Sequence, residues 1–190
     1  MTKKTNIQRS TETKEKLLYS TAKIIIEKGL SKLTLDEVSK ESGISKGGLL
    51  HHFKSKDALI YDLASLAIKK WEEIFESFYA KETEEKGKFM RAYIKSALEQ
   101  ESSDKELLFS NKVWMAIITE LFENPLLLEI FKKSKLMDLN LISKDGLDME
   151  TINIIRLTVD GLMINELFHT PLEAQDRKKL EERLLEMTRK

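Results

Sequence analysis

The strongest constraint on this chain is a run of helix punctuation between Thr34 and Ser45. Thr34-Leu35-Asp36-Glu37 has the form of a capping box, in which the threonine hydroxyl takes an N–H of the first turn and the glutamate reaches back to the threonine backbone. The helix it opens has room for about two turns before Gly43, which can adopt positive φ without steric cost and so ends helices. Ser45 supplies a second N-cap, and a second short helix is predicted through about His52. Two short helices joined by a tight glycine turn make a helix-turn-helix. Ser39 is small where the two helices must cross, and Val38, Ile44 and Leu49 are apolar at positions that face a preceding helix. In such a unit the second helix lies in the major groove of duplex DNA, with its early residues at base edges.

The rest of the chain supports a helical protein around this module. At 190 residues, and with about 150 residues to a typical domain, it suits one compact unit or a small domain joined to a medium one. Hydrophobic residues at 41% and charged residues at 34% suffice for a packed core in a soluble chain. Two prolines and seven glycines are too few for a loop-rich β sandwich. The absence of cysteine excludes disulfides, thiolate metal sites and a cysteine nucleophile. The opening MTKKTNIQRSTETKEK has no apolar stretch of the signal-peptide kind, and the run from Val113 to Ile118 is too short to span a bilayer, so a cytoplasmic location without membrane contact is expected. The formal net charge is zero, but it is unevenly spread. The first sixty residues carry 12 Lys/Arg against 7 Asp/Glu, leaving 20 against 25 in the remainder. A basic head on an acidic body suits a head that meets a polyanion.

Periodicity and caps predict an all-α chain of about nine helices. Residues 1–10 read as a polar tail, with the first helix starting near Thr11 or Thr13, placing Leu17, Leu18, Ala22, Ile25 and Ile26 at helical spacing and stopping at Gly29. After the helix-turn-helix, Ser55 is the expected cap of a long fourth helix reaching about Tyr79. Further helices are predicted over 89–99, 107–122, from Pro125 to about Ile142, and over 149–168. Thr170-Pro171-Leu172-Glu173 is a second capping box, expected to open the last helix with proline at its first position. The expected division is a DNA-binding helix-turn-helix domain over 11–60 and a ligand-binding and dimerisation domain over 61–190.

The residues of the head suit DNA. Lys46 is a long donor for phosphate or guanine, and Gly47 and Gly48 let the backbone approach closely. As helix residues these glycines cost roughly 1 kcal/mol each relative to alanine, which argues for a steric reason. Ser45, His51 and His52 can donate to phosphate oxygens, and Thr34 and Lys56 stand at helix starts, where backbone N–H groups favour anions.

At this point the residues resemble a known family. The stretch TLDEVSKESGISKGGLLHHFKSKDALI, residues 34–60, is similar to the N-terminal domain of the TetR family of transcriptional regulators. In that family a helix-turn-helix is followed by Ser-Lys-Gly, an aromatic end close to Tyr-x-His/Tyr-Phe, and Ser-Lys-Glu-x-Leu. This chain has Ser45-Lys46-Gly47, His51-His52-Phe53 and Ser55-Lys56-Asp57-Ala58-Leu59. The resemblance implies DNA contacts for Thr34, Ser45, Lys46, Gly48, His51, His52 and Lys56, and packing for Phe53. Two departures stand out: Leu50 replaces a tyrosine that often donates to a phosphate, and Gly48 replaces a commoner threonine or alanine. The resemblance also implies a homodimer on a palindromic operator, and a body whose cavity binds a small effector that releases the DNA. Dimerisation agrees with arithmetic, because one short helix reads too few base pairs to find a site in a genome.

For the body, the predicted 149–168 helix carries Ile152, Ile155, Val159, Leu162 and Glu166 on one stripe and Ile154, Leu157, Gly161, Ile164 and Phe168 elsewhere, nearly apolar all round, as expected of a helix that packs both at home and on a partner. The last helix, with Leu180, Leu184 and Met187, is expected to share that interface. Trp71, Phe75, Phe89, Tyr93, Phe109, Trp114, Met115 and Met137 are candidate walls of an effector pocket, with Asn111 and Asn165 as polar groups that would orient the ligand. Glu166-Leu167-Phe168-His169 is a lone E-x-x-H, whereas a di-iron bundle needs two plus further glutamates, so neither metal nor cofactor is expected. No nucleophile, base and orienting acid can be assembled, and the chain is read as a non-enzyme. The preferred function is a ligand-responsive repressor. The alternatives are a regulator controlled by a protein partner or acting as an activator, and a helical-bundle enzyme or carrier.

Overall fold

The computed structural model of the chain describes residues 5–98, 113–114, 117–118, 124–168 and 170–189. Among the described residues there are eight α-helices with defined bounds and no strand. They are α1 (Asn6–Lys28), α2 (Leu35–Ser42), α3 (Lys46–His52), α4 (Lys56–Tyr79), α5 (Lys88–Leu98), α6 (Pro125–Ile142), α7 (Met149–Leu167) and α8 (Ala174–Met187), with a single 3-10 turn at Leu30–Lys32. Of the helix predicted over 107–122, the described residues 113–114 and 117–118 are helical. Phe109, Asn111 and Met115 lie outside the described residues. No described helix is long and apolar enough to cross a membrane.

The chain forms two compact units, divided between Ala67 and Ile68 within α4. The first holds α1 to α3, the first part of α4, and the described residues of 113–127. Its core is built from Leu17, Ala22 and Ile25 of α1, Val38 of α2, Leu49 of α3, Phe53, and Leu59 and Leu63 of α4, all buried. Fully burying each of these side chains other than Ala22 contributes roughly 1.5–3 kcal/mol. Helix α1 packs against α2 and α2 against α3. It starts earlier than its apolar stripe suggests. Thr5 and Gln8 form a reciprocal capping box, so residues 6–10 are helical rather than a polar tail. This opening turn is exposed, and the cap rather than hydrophobic burial marks the start.

The second unit holds the end of α4 with α5, most of α6, α7 and α8. Its core joins Phe75, Phe89, Met90, Tyr93 and Ile94 to Ile152, Ile155, Val159 and Leu162 of α7 and Leu184 of α8. Asp145, in the loop after α6, caps α5 from a distance in sequence. Its carboxylate accepts the N–H groups of Phe89 (2.6 Å) and Met90 (3.1 Å). Burial raises its pKa from the ordinary value, against the pull of those N–H groups and of Arg91. A buried ionic cluster lies beside it. Arg91 pairs with Glu82 at 2.7 Å and donates to the carbonyls of Glu84 and Lys86. Burial would raise the Glu82 carboxyl, but Lys95 and Arg91 outweigh it and hold it below the usual range.

One expectation fails in this unit. The Thr170 box does not open the last helix: α8 begins at Ala174 with Glu173 at its N-cap and no side-chain cap bond. Thr170 instead closes α7, its N–H and hydroxyl both donating to the Asn165 carbonyl. Leu184 of α8 is buried, and Leu180 and Met187 lie partly buried against the same core.

Candidate nucleic-acid interface

The head positions its exposed side chains through local hydrogen bonds. At the start of α2 the Thr34 hydroxyl accepts the Glu37 N–H at 3.1 Å. Only this half of the expected capping box forms, because the Glu37 carboxylate is taken by Lys28 of α1 at 2.9 Å. Gly43 ends α2 in the left-handed region, with φ 68° and ψ 15°. Around it Ser39 donates to the Ile44 carbonyl, while the Ser42 hydroxyl donates to the Ser39 carbonyl (3.3 Å) and accepts the Ile44 N–H (3.2 Å). Sequence reasoning assigned Ser39 only smallness and missed Ser42. The polar atoms of both pin the angle between the helices. Ser45 then caps α3 by accepting the Gly48 N–H at 3.2 Å.

Helix α3 has one buried side and one open side. Leu49 is fully buried. Thr34, Ser45, Lys46, Gly47 and His51 are exposed, and Gly48, Leu50 and His52 are half-buried. The two glycines differ. A Cβ at Gly47 would meet nothing within 4 Å, whereas one at Gly48 would stand 3.1 Å from Ile44 Cγ2 and 3.3 Å from Ser45 Oγ. The fold itself thus explains a small residue at 48 and leaves 47 without an internal reason. Lys46 reaches across the turn to Asp36, its Nζ 2.8 Å from the carboxylate. His51 and His52 meet edge-on with ring centroids 5.4 Å apart. Burial lowers the His52 pKa, and the neighbouring charges of His51 and Lys14 lower it further. Lys56, half-buried, donates to the Leu30 carbonyl at 3.5 Å, tying α4 to the 3-10 turn.

The candidate pocket residues divide. Trp71, Phe75, Phe89 and Tyr93 come together in the second unit. Trp71 stacks on Phe75 (5.5 Å between centroids) and meets Tyr93 edge-on at 6.3 Å, and Phe75 lies 4.8 Å from Phe89. Phe75, Phe89 and Tyr93 are buried and Trp71 half-buried. The Tyr93 hydroxyl donates to Asp160 at 3.3 Å. Trp114 belongs to the first unit and is half-buried, and Asn165 is exposed near the end of α7. Met137 belongs to α6, with its side chain outside the description. No group of three His, Asp or Glu among the described residues is placed to hold a metal ion.

Residues 87–189 match the family described as Tetracyclin repressor-like, C-terminal domain, and residues 17–63 match bacterial regulatory proteins, tetR family. The chain belongs to the TetR family of transcriptional regulators. Curated relatives match part of the chain. One is the uncharacterized HTH-type transcriptional regulator YerO of Bacillus subtilis, 41% identical over 49 residues, 26% of this chain and 17% of YerO. Another is the HTH-type transcriptional regulator QacR of Staphylococcus aureus, 35% identical over 60 residues, 32% of each chain. The chain thus spans less than a third of the length of either relative.

Solved structures share the TetR fold over nearly the whole chain. A transcriptional regulator from Rhodococcus sp. Rha1 has a TM-score of 0.72 at 21% identity, covering 92% of this chain and 93% of its own. The multidrug binding protein EbrR has 0.68 at 16%, covering 99% and 97%. A TetR-family member from Streptomyces coelicolor has 0.62 at 15%, covering 91% and 98%. At these identities the likeness is one of fold.

Proposed function

We propose that this TetR-family chain is a ligand-responsive repressor that binds a palindromic operator in double-stranded DNA as a homodimer. A small apolar or aromatic effector, bound in the second unit, releases it. The observation that carries the reading is the two-sidedness of α3. Leu49 fills the head, while Ser45, Lys46, Gly47 and His51 stand open beside the exposed Thr34. Gly47, with no neighbour to crowd it, gives a phosphate or base edge access to the backbone. Lys46 supplies the cation, and Ser45, His51 and His52 supply further donors. Leu50 offers no donor, and the imidazoles on either side of α3's end take the place of a tyrosine hydroxyl.

Homodimerisation is supported by α7. Ile152, Ile155, Val159 and Leu162 pack inward, but Ile154, Leu157, Ile164 and Phe168 are 45%, 71%, 46% and 69% exposed. Their spacing alternates three and four residues with Gly161 at the centre, the pattern of a helix seam. Such a contiguous apolar stripe in water marks an interface. An effector site is supported by the aromatic cluster around Trp71 and by the fold likeness to EbrR, which is described as multidrug binding and has been solved with imidazole and with malachite green. Helix α4 runs through both units, giving Leu59 and Leu63 to one core and Phe75 to the other. A ligand that prefers one setting of α4 shifts the population of heads competent for DNA, by as much as its affinities for the two states differ.

The test is selection of bound fragments from the source genome, followed by anisotropy titration of a selected duplex. Wild type is expected to bind tightly, and Lys46→Ala to weaken binding by about tenfold or more. Selection of no fragment, or a Lys46→Ala protein that binds as well as wild type, contradicts the reading.

A further inference from the structure

We infer that Asp36 is a specificity-determining residue that suppresses indiscriminate DNA binding by competing for Lys46. This rests on α3 being the DNA-contacting helix. Helix α2 carries three carboxylates, and each has a cation partner. Glu37 and Glu41 pair with Lys28 and Lys23 of α1, which holds α2 onto the head. Asp36 alone of the three reaches forward, across the glycine turn, to Lys46 of α3 at 2.8 Å. Lys46 is the single Lys or Arg of α3, so this pair takes up the recognition helix's permanent cation.

Both side chains of the pair face water, 72% exposed for Asp36 and 56% for Lys46. A pair so exposed contributes little to stability and opens readily. Its consequence lies in where charge sits when a polyanion approaches. A phosphate that takes Lys46 must share its ammonium with Asp36 or displace it, and either way a carboxylate stands beside the backbone and gathers a cation from solution. Net counterion release falls accordingly. Phosphates offer a carboxylate no donor, whereas base edges in the major groove include the N–H groups of cytosine and adenine. Sequence-independent binding therefore bears the full penalty, and a site with donors in register escapes part of it.

The test is the affinity of the full chain for a mixed-sequence duplex, measured over a range of salt concentrations. Asp36→Asn is expected to tighten this binding about two- to five-fold per bound head. It should also steepen the dependence of log affinity on log salt by about 0.9 per head. Asp36→Glu, which keeps the charge, should behave as wild type. In a Lys46→Met background the gain from Asp36→Asn should shrink, because only the carboxylate's direct repulsion of the backbone is left to remove. If Asp36→Asn fails to fold, as thermal unfolding would reveal, Asp36→Ser makes the same comparison. Equal affinity and slope for wild type and Asp36→Asn, or an undiminished gain in the Lys46→Met background, overturns the inference and leaves the repressor reading standing. A wild-type chain with no salt-dependent affinity for DNA overturns both.

Discussion

Gly47 and Gly48 are neighbours in α3, yet a methyl group means different things at each. Replacing Gly47 by alanine meets nothing and improves helix propensity, so Gly47→Ala should raise the stability of the head by about 0.5–1 kcal/mol. Urea unfolding would measure this, and the same variant should bind operator DNA more weakly because the backbone can no longer be approached as closely. At Gly48 the added carbon must push Ile44 aside, so Gly48→Ala should gain less or lose. His52 gives a prediction in pH. Its folded pKa lies below the ordinary 6.5, with burial the main cause and His51 and Lys14 adding to it. The unfolded chain therefore binds this proton more tightly than the head does. Stability from this group is complete above about pH 6.5 and declines as the pH falls through that value. Thermal midpoints of wild type and His52→Gln should converge in slope above that pH, with wild type falling more steeply below it. A parallel fall in both would assign the acid sensitivity elsewhere.

At the scale of elements, turn geometry and close packing can be separated by two glycines of similar φ, Gly43 at 68° and Gly87 at 72°. Nothing lies within 4 Å of a Cβ at Gly43, so Gly43→Ala should cost only the left-handed penalty, about 1–2 kcal/mol. A Cβ at Gly87 would stand 2.3 Å from the Thr188 carbonyl, so Gly87→Ala should cost more and disturb the end of α8. Unfolding in urea would rank the two, and equal losses would contradict the packing at Gly87. The same contrast explains what was legible in the sequence. Caps whose partners lie within three or four residues could be read: Thr34, Gly43, Ser45 and Ser55 open and close helices where expected. Thr5 and Gln8 were equally local but stood in a polar stretch without an apolar stripe to draw attention to them. Thr170 shows the opposite failure, a good local signal recruited by the helix before it. Asp145 capping α5, and Glu37 leaving its box for Lys28, depend on contacts between elements that no local pattern encodes. At the interface the residue types of α3 could be read, while the tie between Lys46 and Asp36 and that between Lys56 and the Leu30 carbonyl required the fold.

For the whole molecule, the proposed repressor depends on two heads held at a fixed separation. The apolar stripe on α7 supplies a way to hold them. Leu157 is 71% exposed, so Leu157→Glu should leave the protomer folded while splitting the dimer. Sedimentation velocity should then show the variant at its 22.0 kDa chain mass and wild type at twice that, with operator affinity falling in the variant. A wild type that sediments as a monomer would remove α7 as a dimer seam. The most direct test of the account is methylation protection of guanine N7 on a duplex selected from the source genome, because N7 lies in the major groove where α3 is proposed to sit. A repressor dimer should give two protected clusters related by a twofold axis, about one helical turn or a whole multiple of it apart, both lost with Lys46→Ala. A single unpaired cluster, or tight binding with no protection at N7, would contradict it.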